Sequence, residues 1–336
     1  MTAFEPGRDR DRRSAAPGHD PSRPAPREIY RDPVYDGATD PTVVRDAVGD
    51  WWMFYTQRRA THPAPGDGVA WVHGSRIGVA RSLDGLQWTY AGTLEPAASG
   101  LALRDGAPPL AVDETHWAPD VIHDGTRWRM FLTEIDGIPA RWEGHERRIV
   151  EYASDDLRDW TRRGPIPLAS DRVIDAAVAR CPDGRWRLWY KDEAAGSTTA
   201  VAVSDDLESW SLDGVALDGR PHEGPCVFTL AGAWFLLTDE WRGMAVHRSA
   251  DAVTWERQGD ADAVILGEGG PPVDGVQVAR HGAVIVTGDD EASLYYFTHP
   301  WWDGSELADV EDPSQRRSAV HVARLRVVDG ILVAER

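Results

Sequence analysis

Residues 175–210 read DAAVARCPDGRWRLWYKDEAAGSTTAVAVSDDLESW. The stretch opens on an acidic residue and a short apolar run. It turns at Asp183-Gly184, continues through an aromatic run, turns again, and closes on Ser204, Asp206 and Trp210. Asp-Gly between two such runs is a hairpin signal. The same unit recurs as residues 40–56 with 76–88, 120–134 with 148–160, 223–241 with 243–255, and, more degenerate, 281–300 with 319–333. Repeats of about 40–50 residues with some four strands each are the blades of a β-propeller. Five copies predict an all-β, five-bladed β-propeller of four-stranded antiparallel blades, formed as a single catalytic domain by residues 29–336. Two Pro- and Gly-rich stretches in the first unit, 57–75 and 90–117, read as rim loops.

The S-x-D-x-x-x-W element ends four of the units, at Ser82–Trp88, Ser154–Trp160, Ser204–Trp210 and Ser249–Trp255. A Ser or Asp side chain caps a turn by accepting backbone N–H groups, and the Trp is suited to pack between blades. Four evenly spread copies are structural rather than catalytic.

The composition narrows the partners. The net charge of -19 disfavours nucleic acid and anionic lipid, and no run approaches the length of a membrane span. Sixteen Trp residues suit a β-rich core and also suit sugars, whose C–H faces stack on indole rings. Cys181 and Cys226 are too few for a disulfide framework or a Cys-based zinc site. Residues 1–28 combine charge, Pro and small residues without an apolar segment. They read as a disordered tail rather than an export signal, and the expected location is cytoplasmic.

A propeller brings the start of each innermost strand and the end of the next strand to one face of the central channel. The starts supply Asp40, Asp120, Asp175, Glu223 and His281; four carboxylates in a shared pocket raise one another's pKa. The ends supply Arg58, Glu134, Lys191, Asp192, Glu193, Asp239, Glu240, Trp241 and His299. Arg58 and Lys191 are expected to neutralise the acidic ring and bond sugar hydroxyls. Trp71, Trp117, Trp142 and Trp241 are the candidate sugar platforms, and Asp120 and His281 complete the expected substrate-binding set.

Four motifs, one per blade, carry a family resemblance: TDPTVV with Asp40, HWAPDVI with Asp120, VIDAAV with Asp175 and HEGPCVF with Glu223. From about residue 29 to its end the chain resembles the propeller clan of glycoside hydrolase families 43, 32 and 68, and family 43 most closely. The resemblance implies Asp40 as general base, Glu223 as general acid and Asp175 as the group that raises the acid's pKa. Glycoside hydrolysis needs one protonated and one ionised carboxyl flanking the bond, so the residue types agree. The implied activity is inverting hydrolysis; the long inserts of the first unit suggest a pocket closed on one side, hence exo action, and the expected location suggests a small glycoside or oligosaccharide. The activity requires no cofactor, and the residues around His281 do not establish a central cation such as calcium. The competing readings are a non-catalytic sugar-binding propeller, a retaining fructosidase-type enzyme, and a phosphorylase using Arg58 and Arg59. Sugar, linkage and oligomeric state stay open.

Overall fold

A computed structural model describes residues 28–106, 113–267, 278–302 and 310–336. The expected tail over residues 1–28 falls outside them except for Glu28. The strands form five antiparallel blades, each running outward from the channel. Blade one holds β1 (Ala38–Arg45), β2 (Trp51–Gln57), β3 (Arg76–Ser82), β4 (Thr89–Ala97) and β5 (Gly100–Asp105); blade two holds β6 (Glu114–His123), β7 (Trp128–Asp136), β8 (Arg148–Ser154) and β9 (Asp159–Pro165). Blade three holds β10 (Val173–Arg180), β11 (Trp186–Asp192), β12 (Thr198–Ser204) and β13 (Ser211–Leu217). Blade four holds β14 (Glu223–Leu230), β15 (Ala233–Asp239), β16 (Met244–Ser249) and β17 (Glu256–Arg257), and blade five β18 (Arg280–Val286), β19 (Glu291–Thr298), β20 (Ala319–Val328) and β21 (Ile331–Glu335). Among the described residues the one helical segment is the 3-10 turn Gly68–Trp71.

Blade one departs from the four-strand expectation. Most of the stretch 90–117 is strand rather than loop, and β5 pairs with β9 so that blades one and two share a nine-stranded sheet. The join needs Gly100, whose φ is +154° and where a Cβ would lie 2.2 Å from the Trp160 carbonyl oxygen. The other rim stretch, 57–75, also folds inward. Trp71 is fully buried with Ala60, Val69, Val72 and Trp117.

The feature that positions the site is a bulge repeated on every innermost strand. The register slips by one residue between Thr39 and Thr42, Trp117 and Asp120, Ile174 and Ala177, Glu223 and Cys226, and Arg280 and Gly282. The residue at the slip has a left-handed φ at Asp40 (49°), Ala118 (44°), Asp175 (58°) and Gly224 (57°). Such a conformation costs a non-glycine residue about 1–2 kcal/mol, least for Asp and Asn. The five bulges therefore align Asp40, Ala118, Asp175, Gly224 and His281. This corrects the sequence alignment: Asp120 stands two residues past its bulge, level with Thr42 and Cys226, and Glu223 stands one residue before its own, level with Trp117 and Arg280.

Neighbouring blades are clasped at the bulges. The N–H of Ala118 donates to Thr56 Oγ1 (2.8 Å), that of Asp175 to Thr133 Oγ1 (3.3 Å), that of Gly224 to Asp175 Oδ2 (3.0 Å) and that of His281 to Asp239 Oδ2 (3.3 Å). The Ser-Asp-Trp elements clasp the outer part. Each Ser Oγ accepts the N–H two and three residues on, as at Asp84 and Gly85 (3.2 and 2.9 Å). Trp160, Trp210 and Trp255 pack edge-on against Phe54, Phe131 and Trp189 of the preceding blade, and Trp88 packs against Tyr295 of blade five. The last contact closes the ring. Ile29 and Tyr30 reinforce it by backbone bonds to Val320, while Asp32 accepts bonds from Tyr55 and Gln57 (both 2.8 Å).

Candidate active site

A pocket of about 360 Å³ opens at the end of the channel where the bulges lie. That volume suits a small ligand. Asp40 and Asp175 reach it from the bulges of β1 and β10. Thr39 Oγ1 donates to Asp40 Oδ2 (3.0 Å), and Arg58 Nη2 lies 3.7 Å from the same oxygen. His281 Nδ1 stands 3.8 Å from Asp40 Oδ1 and 3.9 Å from Asp175 Oδ1, so one imidazole lies beside both carboxylates. Burial pushes the Asp175 carboxyl up to about 6; His281 and Lys191 oppose the rise, and the charges of Glu223 and Asp40 add to it.

Glu223 sits before its bulge because the bulge residue cannot carry a side chain. A Cβ on Gly224 would lie 2.6 Å from the His281 ring. Its carboxylate is held by two donors, Lys191 Nζ to Oε2 and Trp241 Nε1 to Oε1, both at 2.9 Å. Burial pushes this carboxyl up, but the Lys191 charge and hydrogen bond, Arg280 and the Trp241 N–H outweigh it and hold Glu223 well below the usual carboxylate range. Burial likewise works against the Lys191 charge, and Glu223, Glu193 and Asp175 overcome it. The direction at Glu223 is thus opposite to the sequence-based expectation of a raised pKa. Asp175 and Glu223 do repel, but the ammonium settles which of them ionises. Asp239, pushed up to about 7 by burial, fixes the Trp241 backbone through Oδ1 (2.6 Å).

Of the expected substrate-binding residues, Arg58, Trp117, Trp142, Lys191 and Trp241 line the pocket. Trp142 and Trp241 are the exposed faces, at 36% and 39%, whereas Trp117 is buried with its Nε1 bonded to the Val72 carbonyl (3.1 Å). Three expected residues lie outside the pocket. Trp71 is core. Asp120 lies further along its strand, where Oδ2 accepts the Val178 N–H (2.7 Å) and ties blade two to blade three. His281 supports the two aspartates without lining the cavity. Arg59 is also committed elsewhere, to the carbonyls of His73, Pro65 and Ala70. Among the described residues no group of three or more His, Cys, Asp or Glu side chains is placed to hold a metal ion.

The sequence reading named Trp142 and Lys191 but missed the rest of one wall and one signal. The loop between β7 and β8 brings Trp142, Glu143, His145 and Arg147 over the pocket, propped by the bond from Val69 N–H to the Ala140 carbonyl (3.1 Å). Arg280 was missed because the repeats were aligned on their first acidic residue rather than on the bulge. The overlooked signal is the rarity of Lys191, a residue already among the expected set. It is the one lysine among 36 basic residues, in a chain that uses arginine everywhere else.

No protein-family model matches the chain, and no curated protein matches it. Solved structures do. A thermostable family-43 glycoside hydrolase aligns with a TM-score of 0.64 over 91% of this chain and 96% of its own, at 19% identity. A GH43 β-1,3-galactosidase crystallised with galactodeoxynojirimycin gives 0.63 over 93% and 98%, at 14% identity. An exo-1,5-α-L-arabinanase from a bovine ruminal metagenomic library gives 0.61 over 91% and 99%, at 14% identity. The chain has the fold of family 43 glycoside hydrolase structures.

Proposed function

We propose that the protein is a glycoside hydrolase acting on a small carbohydrate. The observation that carries this is the convergence of Asp40, Asp175 and Glu223 on one pocket, two of them in bulges that hold a left-handed backbone. The fold supports the reading, since its neighbours include a β-1,3-galactosidase and an exo-arabinanase. The pocket, walled on one side by the β7–β8 loop, suits exo action.

In the proposed reaction Asp40 takes a proton from water as the water oxygen bonds to the anomeric carbon. The glycosidic C–O bond breaks, and Glu223 gives its proton to the departing oxygen. The outcome is inversion. Glu223 must therefore be protonated when substrate is bound, although Lys191 and Trp241 stabilise its anion. Of the two carboxyls Asp175 keeps a proton to higher pH, so Lys191 has to yield Glu223 for that carboxyl to gain one. Proton NMR of the first-formed anomer tests the reading. The inverted anomer supports it; the retained anomer makes Asp40 a nucleophile instead.

The same ion pair favours a second reading. A carboxylate locked to a lysine and an indole N–H is a good acceptor for hydroxyls and a poor acid. A non-catalytic sugar-binding propeller would show sugar binding with no turnover on any glycoside in a broad panel.

A further inference from the structure

The pocket is lined by five carboxylates and five permanent cations, in a chain whose net charge is -19. Two of these cations have a carboxylate at hydrogen-bonding distance. Lys191 serves Glu223 and Glu193 (2.9 and 3.4 Å), and Arg147 is joined to Glu193. Of the other three, Arg58 and Arg280, from blades one and five, face aromatic rings. Among the described residues neither guanidinium has a carboxylate at hydrogen-bonding distance, the approach of Arg58 to Asp40 being 3.7 Å. Arg58 Nε is buried with no hydrogen-bond partner.

Both heads are nevertheless held in place. Arg58 lies 5.4 Å from the Phe297 ring centroid and Arg280 lies 5.4 Å from that of Trp302. Stacking fixes the plane of a guanidinium and leaves its N–H edge for a ligand. His299 lines the same wall. Its Nδ1 lies 3.1 Å from the Arg317 carbonyl, which assigns the proton to Nδ1 and leaves Nε2 as an acceptor. Burial and the two arginines keep the ring neutral.

Two oriented cations that lack a hydrogen-bonded carboxylate, beside a neutral acceptor, are poorly used by a neutral sugar. A planar carboxylate meets guanidinium edges with two parallel bonds, and the adjacent acceptor takes a hydroxyl. We propose that the pocket takes an acidic sugar, whose ring carboxylate is received by Arg58 and Arg280 while His299 Nε2 accepts a neighbouring hydroxyl. This names the substrate class of the carbohydrate site proposed above and rests on that reading. The arginine pair also offsets the repulsion that Asp40 and Glu223 would exert on an anion.

The test is calorimetric titration of the full chain, which needs no turnover. The probes are D-glucuronate, D-galacturonate, D-glucose, D-galactose, D-xylose and inorganic phosphate at fixed ionic strength. Each uronate is expected to bind about tenfold or more tighter than its parent hexose. The preference should vanish in Arg58→Met and in Arg280→Met, and persist in part in Arg58→Lys, with thermal melting to verify folding. If a Met variant does not fold, Arg58→Lys and Arg280→Lys carry the test, since loss of the bidentate edge still weakens the preference. Neutral sugars that bind as tightly as uronates overturn this inference alone, as does a preference that survives in the arginine variants. Phosphate binding without uronate preference also overturns it and marks the pair as a site for a free oxyanion. Failure of every sugar to bind overturns the carbohydrate reading itself.

Discussion

Blades one and three carry an aspartate at the bulge of the innermost strand, whereas blades two and four carry Ala118 and Gly224 at the same point. All four residues adopt the same left-handed backbone, so the bulge belongs to the fold and the carboxylate does not. The residue before the bulge also faces the pocket, as Trp117 in blade two, Ile174 in blade three, Glu223 in blade four and Arg280 in blade five. One backbone device thus presents groups at two depths. Asp40 and Asp175 stand beside His281, and Trp117, Glu223 and Arg280 form the wall around them.

The largest effect should separate two aspartates that the sequence makes look alike. Asp40→Asn keeps a side chain that tolerates the left-handed backbone and removes the base. Hydrolysis should fall by about 100- to 10,000-fold, the range of a general base, with sugar binding retained. Asp120→Asn keeps an oxygen to accept the Val178 N–H, and its turnover should stay within about twofold, because the bond it makes is between blades. Steady-state kinetics on both variants decides the matter. A large loss in Asp120→Asn would return that residue to the site.

A second comparison sets Gly224 against the other bulges. Gly224→Ala places a methyl group against the His281 ring, on a backbone that already penalises it. The expected loss is roughly 2–4 kcal/mol, combining the left-handed penalty with overpacking. Adding His281→Ala should return part of it, although the aspartates lose their shared imidazole. Urea denaturation of the single and double variants measures the coupling. Additive losses would show that the His281 ring is not what excludes the methyl.

The blade count, the closing Ser-Asp-Trp turns and the three acidic candidates were legible because each is a local pattern repeated in sequence. The depth of each residue was not. A bulge adds one residue to a strand and reverses which side chains face the channel. TDPTVV and WAPDVI therefore show an Asp in both copies while the true counterpart of Asp40 is Ala118. Trp71 was misread for a related reason: a Pro- and Gly-rich stretch looks like a surface loop, yet a short 3-10 turn folds it inward. Of the β7–β8 wall only Trp142 had a sequence signal; Glu143, His145 and Arg147 come from the same loop outside the repeat and had none. Lys191 had one, since a lone lysine in an arginine-rich chain marks a place where a compact ammonium differs from a guanidinium.

The smallest effect addresses how Lys191 divides the protons between blades three and four. An acid catalyst works in its protonated form, so kcat/KM falls as the pH rises past the pKa of that group in the free protein. The Lys191 ammonium lowers the pKa of Glu223, whereas burial alone would raise it. Lys191→Met removes the charge and keeps much of the bulk. Glu223 should then hold its proton to higher pH, and the basic limb of the profile should move upward by about one unit or more. Trp241→Phe removes one hydrogen bond to the anion and should move the limb the same way by less. Asp175, relieved of the same nearby cation, should also shift upward, because Lys191 favours its ionised form as well. Glu223→Gln in the Lys191→Met background isolates the contribution of Glu223: the displaced limb should disappear with the group that causes it. A basic limb that stays in place in Lys191→Met would show that Glu223 is not the acid, and would leave the carboxylate, its lysine and its indole as a device for holding hydroxyls.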